Sequence, residues 1–482
     1  MTSSDILSIL PLIVPAVAVI LLMLLIGFVR SHLLTVAVTL MSLFLAIITV
    51  FLSYKPQPQQ ISQLLIMDGY AYFYIVLIYT ATMVVCALSY GYIKHKKVVR
   101  EEYYLFLLTT ALGCAVLASS SHLASLFVGI ELLSLSLYVL IAYTGTKLNT
   151  EAGIKYFVMT AVSISFLLFG TALFYAARGS MNFPNIPKDI FYPGTANQIL
   201  YLTGIVMLLT GIGFKLALVP FHFWIADVFE GASVPVAGLL GTVSKGAVFA
   251  VLMRFFSGID IFGHNSLYFI FAATAIASMF FGNITALLQT NIKRILGYSS
   301  IAHFGYLLIT LIAGNSLGIT AAAFYLTAYF ITILTAFGII SFLSKSETDL
   351  ATLKDYEGLV FTHPFYAVPM TVAMLSLAGI PLTAGFFAKF YLITAGAGIK
   401  LWTLLIILII NSVIGLFYYL RIVVCLYTRP SVQSSIENKT AEYGPSFSLL
   451  GACSITVLLF FLIYLGIAPG PLLQIIQTLT NI

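Results

Sequence analysis

The sequence predicts an all-α polytopic membrane protein with about fourteen transmembrane helices. Of its 482 residues, 61% are hydrophobic and only 8% are charged, whereas soluble domains carry about 25% charged residues. The apolar residues fall into runs of about 20, which is the length that a helix needs to span a bilayer. Together these observations exclude a soluble fold. The net charge of +6 lies mainly in the predicted loops, so no nucleic-acid partner is expected.

The apolar runs define the expected helices in chain order. Their approximate positions are 6–29, 33–53, 70–92, 103–120, 123–143, 155–177, 198–221, 235–256, 267–288, 297–313, 319–343, 363–395, 401–427 and 447–467. The twelfth run is too long for one straight helix and contains Gly379, Pro381 and Gly385, so we expect a non-helical break. The seventh should break near Pro220 and continue as a half-helix around 222–229.

Two features of the pattern predict the topology. Fourteen Lys and Arg residues fall in loops or at helix ends on one side of the predicted membrane and five on the other. The richer side is expected to be cytoplasmic, which places both termini on the opposite side. Helices seven and twelve both combine a proline break with a lysine. Because an offset of five helices reverses direction, helices 4–8 and 9–13 would form inverted repeats.

The predicted helices and repeats divide the chain into four parts. We expect three amino-terminal helices in 1–99, a first repeat in 100–258, a second inverted repeat in 259–428, and a loop with helix fourteen in 429–482.

Four ionisable side chains lie deep within these apolar runs, namely Glu131, Lys215, Lys245 and Lys389. Such groups are costly in lipid and usually mark a path for ions or protons. We expect Glu131 to pair with Lys215, and the lysines to take up and release protons. The alternatives are an acid and lysines that only join helices through hydrogen bonds, or a Lys215 that reaches an interface.

Three more residues are secondary candidates for the path. Lys155 is expected at the cytoplasmic start of helix six, where a cation that reaches the interface is the plainer interpretation. His222 and His303 could shuttle protons near neutral pH, or could equally join helices by hydrogen bonds. Asp227 and Glu230 are expected to be solvated loop acids.

The sequence contains no motif for a metal, flavin or nucleotide site, and none for nucleophilic catalysis. Four widely separated cysteines form no CxxC pair, and the chain has neither a Walker A loop nor a GxGxxG motif. We therefore expect no metal, flavin or nucleotide in this chain. No serine or cysteine has an evident catalytic base beside it in the sequence.

Three long segments carry a resemblance to a known family. They are GFKLALVPFHFWIADVFEGASVPVAGLLGTVSKGAVFAVLMRF, NIKRILGYSSIAHFGYLL and MLSLAGIPLTAGFFAKFYL. These resemble the antiporter-like membrane subunits of respiratory complex I, the proton-pumping NADH:quinone oxidoreductase of bacteria. The resemblance places the family's buried glutamate on Glu131, its partner lysine on Lys215, its central lysine on Lys245 and its terminal basic residue on Lys389. An additional lysine found in one member of the family matches Lys155.

The resemblance implies a setting for the chain. It would lie in a bacterial inner membrane with both termini periplasmic, beside an adjacent antiporter-like subunit and small membrane subunits. NADH, FMN, iron–sulfur clusters and quinone would be bound by other subunits. Protons would enter from the cytoplasm and load Lys245, the Glu131–Lys215 pair would shift the affinity of that lysine, and Lys389 would pass protons outward. The alternatives are a subunit of a multisubunit cation/proton antiporter, and a structural spacer.

Overall fold

A computed structural model describes residues 3–94, 96, 98–183, 196–259, 261–344, 349–429 and 448–480. Within these residues the chain is nearly all helical, and thirteen helices are long and apolar enough to cross a membrane. The remaining predicted span, the twelfth, is present as two shorter helices. The predicted all-α membrane fold is therefore confirmed.

The amino-terminal part comprises three long helices and a small hairpin. Its elements are α1 (Ser3–Ser8), α2 (Leu10–Phe28), α3 (His32–Ser53), the antiparallel strands β1 (Gln59–Ile61) and β2 (Leu65–Met67), and α4 (Gly69–Lys94). The hairpin was not predicted, since strands of three residues leave almost no periodicity to read.

The following helices include the first break. They are α5 (Glu101–Ser119), α6 (Leu123–Ala142), α7 (Lys147–Arg178), α8 (Ala196–Leu216), the short α9 (Ile225–Gly231), α10 (Val234–Leu239) and α11 (Lys245–Phe256). A π-helical turn at Leu240–Ser244 joins α10 to α11. The break after Leu216 confirms the interrupted seventh helix, but the half-helix starts at Ile225 and leaves His222 in the non-helical segment.

The last part of the chain contains the second break. Its elements are α12 (Asn265–Leu287), α13 (Ile292–Ala313), α14 (Ser316–Leu343), a 3₁₀ turn (Leu353–Tyr356), α15 (Leu359–Thr362), α16 (Pro364–Ala378), α17 (Ala384–Gly398), α18 (Trp402–Tyr427), α19 (Leu449–Ile467) and α20 (Gly470–Thr480). The predicted break of the twelfth helix is confirmed between α16 and α17.

Two helices begin five or more residues earlier than their apolar runs indicated. Helix α7 starts at Lys147 rather than at 155, and Thr146 caps it by accepting the Asn149 amide. Helix α13 starts at Ile292 rather than at 297, and Asn291 accepts the amides of Lys293 and Arg294. Polar first turns with capping residues extend both helices beyond the apolar segment. Lys155 therefore lies inside α7 and not at its start.

The helices form a buried centre and an apolar periphery. The continuous segment from α10 to α11, together with α13 and α14, is almost wholly buried, whereas α2, α3, α7 and α18 expose much of their apolar surface. Exposed apolar helices are expected where a protein contacts lipid or a neighbouring membrane subunit. The loop residues Lys97, Lys188, Lys345 and Lys439, which entered the charge count, lie outside the described residues.

Candidate functional site

Lys215 lies at the first helix break, where α8 ends. Its Nζ donates hydrogen bonds to Ser134 Oγ of α6 at 2.6 Å and to Thr160 Oγ1 of α7 at 3.1 Å. The ammonium is also 5.2 Å from the centre of the Tyr156 ring. The side chain is buried, and it lies beside a small cavity of about 10 Å³, close to the smallest space that holds one water molecule.

Glu131 lies one turn before Ser134 on α6, so it is on the same part of the helix as a partner of Lys215. Among the described residues no ion pair within 4 Å involves Glu131, although its charge and that of Lys215 are close enough to interact. Glu131 is only half-buried, and its neighbours Val128 and Leu135 are 56% and 48% exposed. Glu131 therefore lies on a partly exposed face of α6.

Lys245 is the first residue of α11 and follows the π-helical turn directly. A π turn contains one residue more than an α turn and is common at functional sites. The side chain has no exposed surface, and its Nζ donates to Ser300 Oγ of α13 at 2.8 Å. The ring of Phe304, one turn further along α13, lies 5.2 Å from the ammonium.

His303 lies three residues after Ser300 on the same helix, and hydrogen bonds hold its ring on both sides. Its Nδ1 is 2.6 Å from the Tyr325 hydroxyl of α14, and its Nε2 is 3.0 Å from the Tyr419 hydroxyl of α18. A buried imidazole between two phenols can pass a proton from one ring nitrogen to the other. His303 also lines a cavity that it shares with Lys389.

Lys389 lies on α17, just after the second break. Its Nζ donates to the carbonyl of Ala378, the last residue of α16, at 2.9 Å, and to Ser412 Oγ of α18 at 2.8 Å. A helix end leaves carbonyls without helical partners, and the break uses one of them to hold the ammonium. Lys389 and His303 line one cavity of about 10 Å³, which is enough for about one water molecule.

The second break depends on close backbone approach at Gly385. A side-chain carbon there would lie 1.9 Å from the Ser376 carbonyl oxygen. We expect Gly385→Ala to lower the stability by about 1–3 kcal/mol through overpacking and to displace Lys389, four residues further along α17. Thermal unfolding of the purified protein measures the change. Gly398→Ala at the other end of α17, where nothing lies within 4 Å, is the matched control, and an equal effect of both changes would contradict the prediction.

The expectation of solvated loop acids was only partly right, because Asp227 and Glu230 are partly exposed but lie on α9 and bind cations. Asp227 Oδ2 accepts from Lys155 Nζ at 2.7 Å, and Asp227 Oδ1 accepts from Arg294 at 2.9 Å. Glu230 also binds Arg294, at 2.7 Å. Lys155 pairs in addition with Glu151 at 2.8 Å, so it belongs to a network of ion pairs. These partners are 64 to 72 residues from the acids of α9 in the sequence, and no local pattern indicates such pairing.

His222 is not brought together with the buried lysines. Its ring is stacked on Phe223 with centroids 4.5 Å apart and lies 5.7 Å from the ring of Phe281. These ring neighbours are apolar, and no hydrogen bond between described residues joins His222 to Lys215, Lys245 or Lys389.

A buried ion pair was missed because Arg254 was counted among the loop cations. Its two terminal nitrogens donate to both carboxylate oxygens of Asp68, each at 2.7 Å. Asp68 Oδ1 also accepts the amide of Ala71, which fixes the start of α4, and the Tyr70 ring lies 4.7 Å from the guanidinium. The signal in the sequence was an acid immediately before an apolar run, which is a typical helix cap.

The structure brings together part of the predicted path. Lys245 binds Ser300 on α13, His303 lies three residues later on the same helix, and His303 and Lys389 line one cavity. Among the residues that the structure describes, no hydrogen bond joins Ser300 to His303. Between described residues no direct hydrogen bond joins Lys215 to Lys245, so those two lysines occupy separate polar surroundings. A group of three or more His, Cys, Asp or Glu residues that could hold a metal ion was not found in the described part of the chain.

Comparison with protein families gives one match that covers most of the helices just described. Residues 120–415 match the family described as NADH:quinone oxidoreductase/Mrp antiporter, TM. The chain belongs to this family. The match begins directly after α5, extends into α18 and contains Glu131, Lys215, Lys245 and Lys389.

Two relatives come from the complex I branch of the family. NADH-quinone oxidoreductase subunit N of Ectopseudomonas mendocina (strain ymp) is 42% identical over 99% of this chain and 97% of its own length. A chain of respiratory complex I from Thermus thermophilus, solved with bound aureothin, is 32% identical with a TM-score of 0.82, and the match covers 96% of this chain and 98% of that one.

The antiporter branch of the family has the same fold at lower identity. A chain of the Mrp complex from Dietzia sp. DQ12-45-1b is 19% identical with a TM-score of 0.84, and the match covers 99% of this chain and 97% of that one. This likeness concerns the fold alone. The higher identities to the complex I relatives favour them over the antiporter alternative.

Proposed function

We propose that the chain is a membrane-arm subunit of NADH:quinone oxidoreductase that translocates protons through its buried lysines. One observation carries the proposal: Lys215, Lys245 and Lys389 are buried, and their hydrogen-bond partners among the described residues are all neutral. A permanent cation without a carboxylate beside it is costly in such surroundings. A lysine that alternates between amine and ammonium can exist there and can carry a proton.

The order of transfer follows from the positions of these groups. Protons from the cytoplasm load Lys245, and its bond to Ser300 leads toward His303 on the same helix. His303 hands the proton to the cavity beside Lys389, which releases it to the other side. Glu131 and Lys215 are not in ion-pair contact among the described residues, but a change in their separation alters the electrostatic cost of a proton on Lys245.

The orientation rests on the distribution of loop cations. The side with more Lys and Arg is cytoplasmic, so both termini face the periplasm across the bacterial inner membrane. The two broken helices, α8–α9 and α16–α17, belong to inverted repeats over 100–258 and 259–428. Each repeat then contributes one lysine at a helix break, which is the usual place for a transport site in such proteins.

The neighbours of the chain supply what it does not hold. An adjacent membrane subunit covers the outer face of α6, because a half-exposed carboxylate between Val128 and Leu135 would otherwise meet lipid. NADH, FMN, the iron–sulfur clusters and quinone are bound by other subunits. Quinone reduction in those subunits provides the free energy for proton transfer through this chain.

The proposal is tested by replacing Lys215 and Glu131, one at a time, in the whole complex. We expect Lys215→Met to stop proton transfer through this subunit. The number of protons translocated per NADH oxidised should then fall to the number that the other subunits of the complex move. Glu131→Gln should slow the proton step of this subunit by about tenfold, because it removes one charge that tunes the lysine. Proton uptake into inverted vesicles, divided by NADH consumption, measures both effects.

Electron transfer to an artificial acceptor provides the control for this experiment. It should remain unchanged in both variants, since the redox centres lie in other subunits. An assembled Lys215→Met complex with normal proton translocation would refute the role given to the buried lysines. Sodium-dependent transport without NADH would favour the antiporter alternative.

A further inference from the structure

We propose that Asp227 is a positioning residue for Lys215: it holds α9 between α7 and α13, and thereby keeps the cavity of Lys215 closed. The inference rests on the proposed function for the importance of Lys215, but its geometry stands independently. Asp227 is the first acidic residue of α9, and α9 is the short helix that follows the first break.

The two carboxylate oxygens of Asp227 accept hydrogen bonds from two different helices. Oδ2 accepts from Lys155 Nζ of α7 at 2.7 Å, while Oδ1 accepts from Arg294 of α13 at 2.9 Å. Arg294 is itself held by Glu230 at 2.7 Å and by Gln289 Oε1 at 3.0 Å. Hydrogen bonds between charged groups are about twice as strong as those between neutral groups. The carboxylate therefore fixes the position of α9 from two sides.

The ionisation of Asp227 supports this role. Burial alone would raise the pKa of the carboxyl, but the hydrogen bonds from Lys155 and Arg294 outweigh it and lower the pKa below its usual range. Asp227 is therefore ionised at neutral pH and stays paired. The other titratable groups that face it are Glu151, through Lys155, and Glu230, through Arg294.

Trp224 connects the position of α9 to the surroundings of Lys215. It directly precedes α9, three residues before Asp227, and its indole nitrogen donates to the carbonyl of Phe214 at 3.0 Å. Its ring meets Tyr156 edge to face, with centroids 5.3 Å apart. Trp224 and Tyr156 both line the small cavity beside Lys215. A shift of α9 would move Trp224 and so would open one wall of this cavity.

The space outside that wall is open and polar. A cleft of about 130 Å³ is lined by Glu151, Ala152, Lys155, Asp227 and Glu230, together with Leu148. Ala152 faces this cleft and Tyr156, one helical turn further along α7, faces the inner cavity. The cleft and the cavity therefore lie in succession along α7. Release of α9 would let water from the cleft reach the space around Lys215.

Access of a reagent to the inner cavity tests the proposal directly. Ser163 lines that cavity and is 1% exposed, so Ser163→Cys places a reporter there with little change in size. The four native cysteines are replaced by alanine, and the purified complex is treated with a small charged methanethiosulfonate. Mass spectrometry of the peptide that contains position 163 gives the labelling rate. We expect Asp227→Asn to raise this rate by at least about tenfold, because two charged hydrogen bonds are weakened.

Matched variants separate positioning from general loosening of the structure. Glu102→Gln removes the charge of an ion-paired acid on the same side of the membrane, 3.3 Å from Arg30 and away from α9, and should leave the labelling rate unchanged. Lys155→Gln and Arg294→Gln each remove one partner of Asp227, and each should raise the rate by less than Asp227→Asn does. These two variants retain the test if Asp227→Asn does not assemble.

Two outcomes would overturn the proposal. One is a labelling rate in Asp227→Asn no higher than in Glu102→Gln, and the other is rapid labelling of the parent protein. The labelling reaction does not involve proton transport. Faster labelling with normal pumping would therefore count against the function given to Lys215, whereas unchanged labelling with reduced pumping would count against the positioning role alone.

Discussion

Lys245→Met is expected to slow proton transfer through this subunit by about 10²-fold, the lower end of the contribution of a positioned proton donor or acceptor. The substitution keeps an unbranched side chain of similar length in a site with no exposed surface, and it removes the amine that donates to Ser300. Methionine leaves little empty space in place of the lysine side chain, so the complex should assemble. Proton translocation per NADH oxidised, measured with a pH-sensitive dye, reports the change.

A surface lysine supplies the control for this substitution. Lys354 is exposed and lies in the 3₁₀ turn, so Lys354→Met makes the same chemical change away from the proposed path. It should leave translocation unaltered. If an assembled complex with Lys245→Met pumped as well as the Lys354→Met complex, the buried lysine would have a structural role only.

Arg254→Leu is expected to destabilise the protein by about 3–5 kcal/mol, because it leaves the carboxylate of Asp68 buried without its partner. The side chains of Arg254 and Asp68 are 7% and 10% exposed, so water cannot replace the two lost hydrogen bonds well. Thermal unfolding of the purified protein, followed by light scattering or by thiol reactivity of buried cysteines, measures the loss.

The double variant makes this prediction specific to the ion pair. Asp68→Leu combined with Arg254→Leu removes both charges, and replacement of a whole buried pair by apolar residues is often neutral. We expect the double variant to regain most of the stability lost in Arg254→Leu. A double variant that is less stable than either single variant would show that the two residues do not act as a pair.

Sequence patterns were sufficient to find the buried lysines and the helix breaks. A lysine within an apolar run and a proline or glycine inside a long helix are rare, and each has a strong physical consequence. The two breaks were expected near Pro220 and Gly379–Pro381, and both are present.

The partners of these lysines could not be predicted in the same way. Ser134, Thr160, Ser300 and Ser412 are common residue types in membrane helices, and only the packing of distant helices selects them. The ion pairs of Asp227 and of Arg254 were missed for the same reason. Both join segments that are far apart in the chain, and the local sequence around each residue carries no sign of its partner.

The π-helical turn at Leu240–Ser244 has a consequence for how sequences of this kind tolerate length changes. Each residue rotates an α-helix by about 100°, so the azimuth of the ammonium at position 245 is set by how many residues precede it. A π turn accommodates one residue more than an α turn, so loss of a single amino acid from it would restore regular winding and leave Lys245 facing Ser300, whereas an added amino acid would rotate Lys245 away from Ser300 by about 100°. We therefore expect this span to tolerate the deletion of one residue better than the insertion of one.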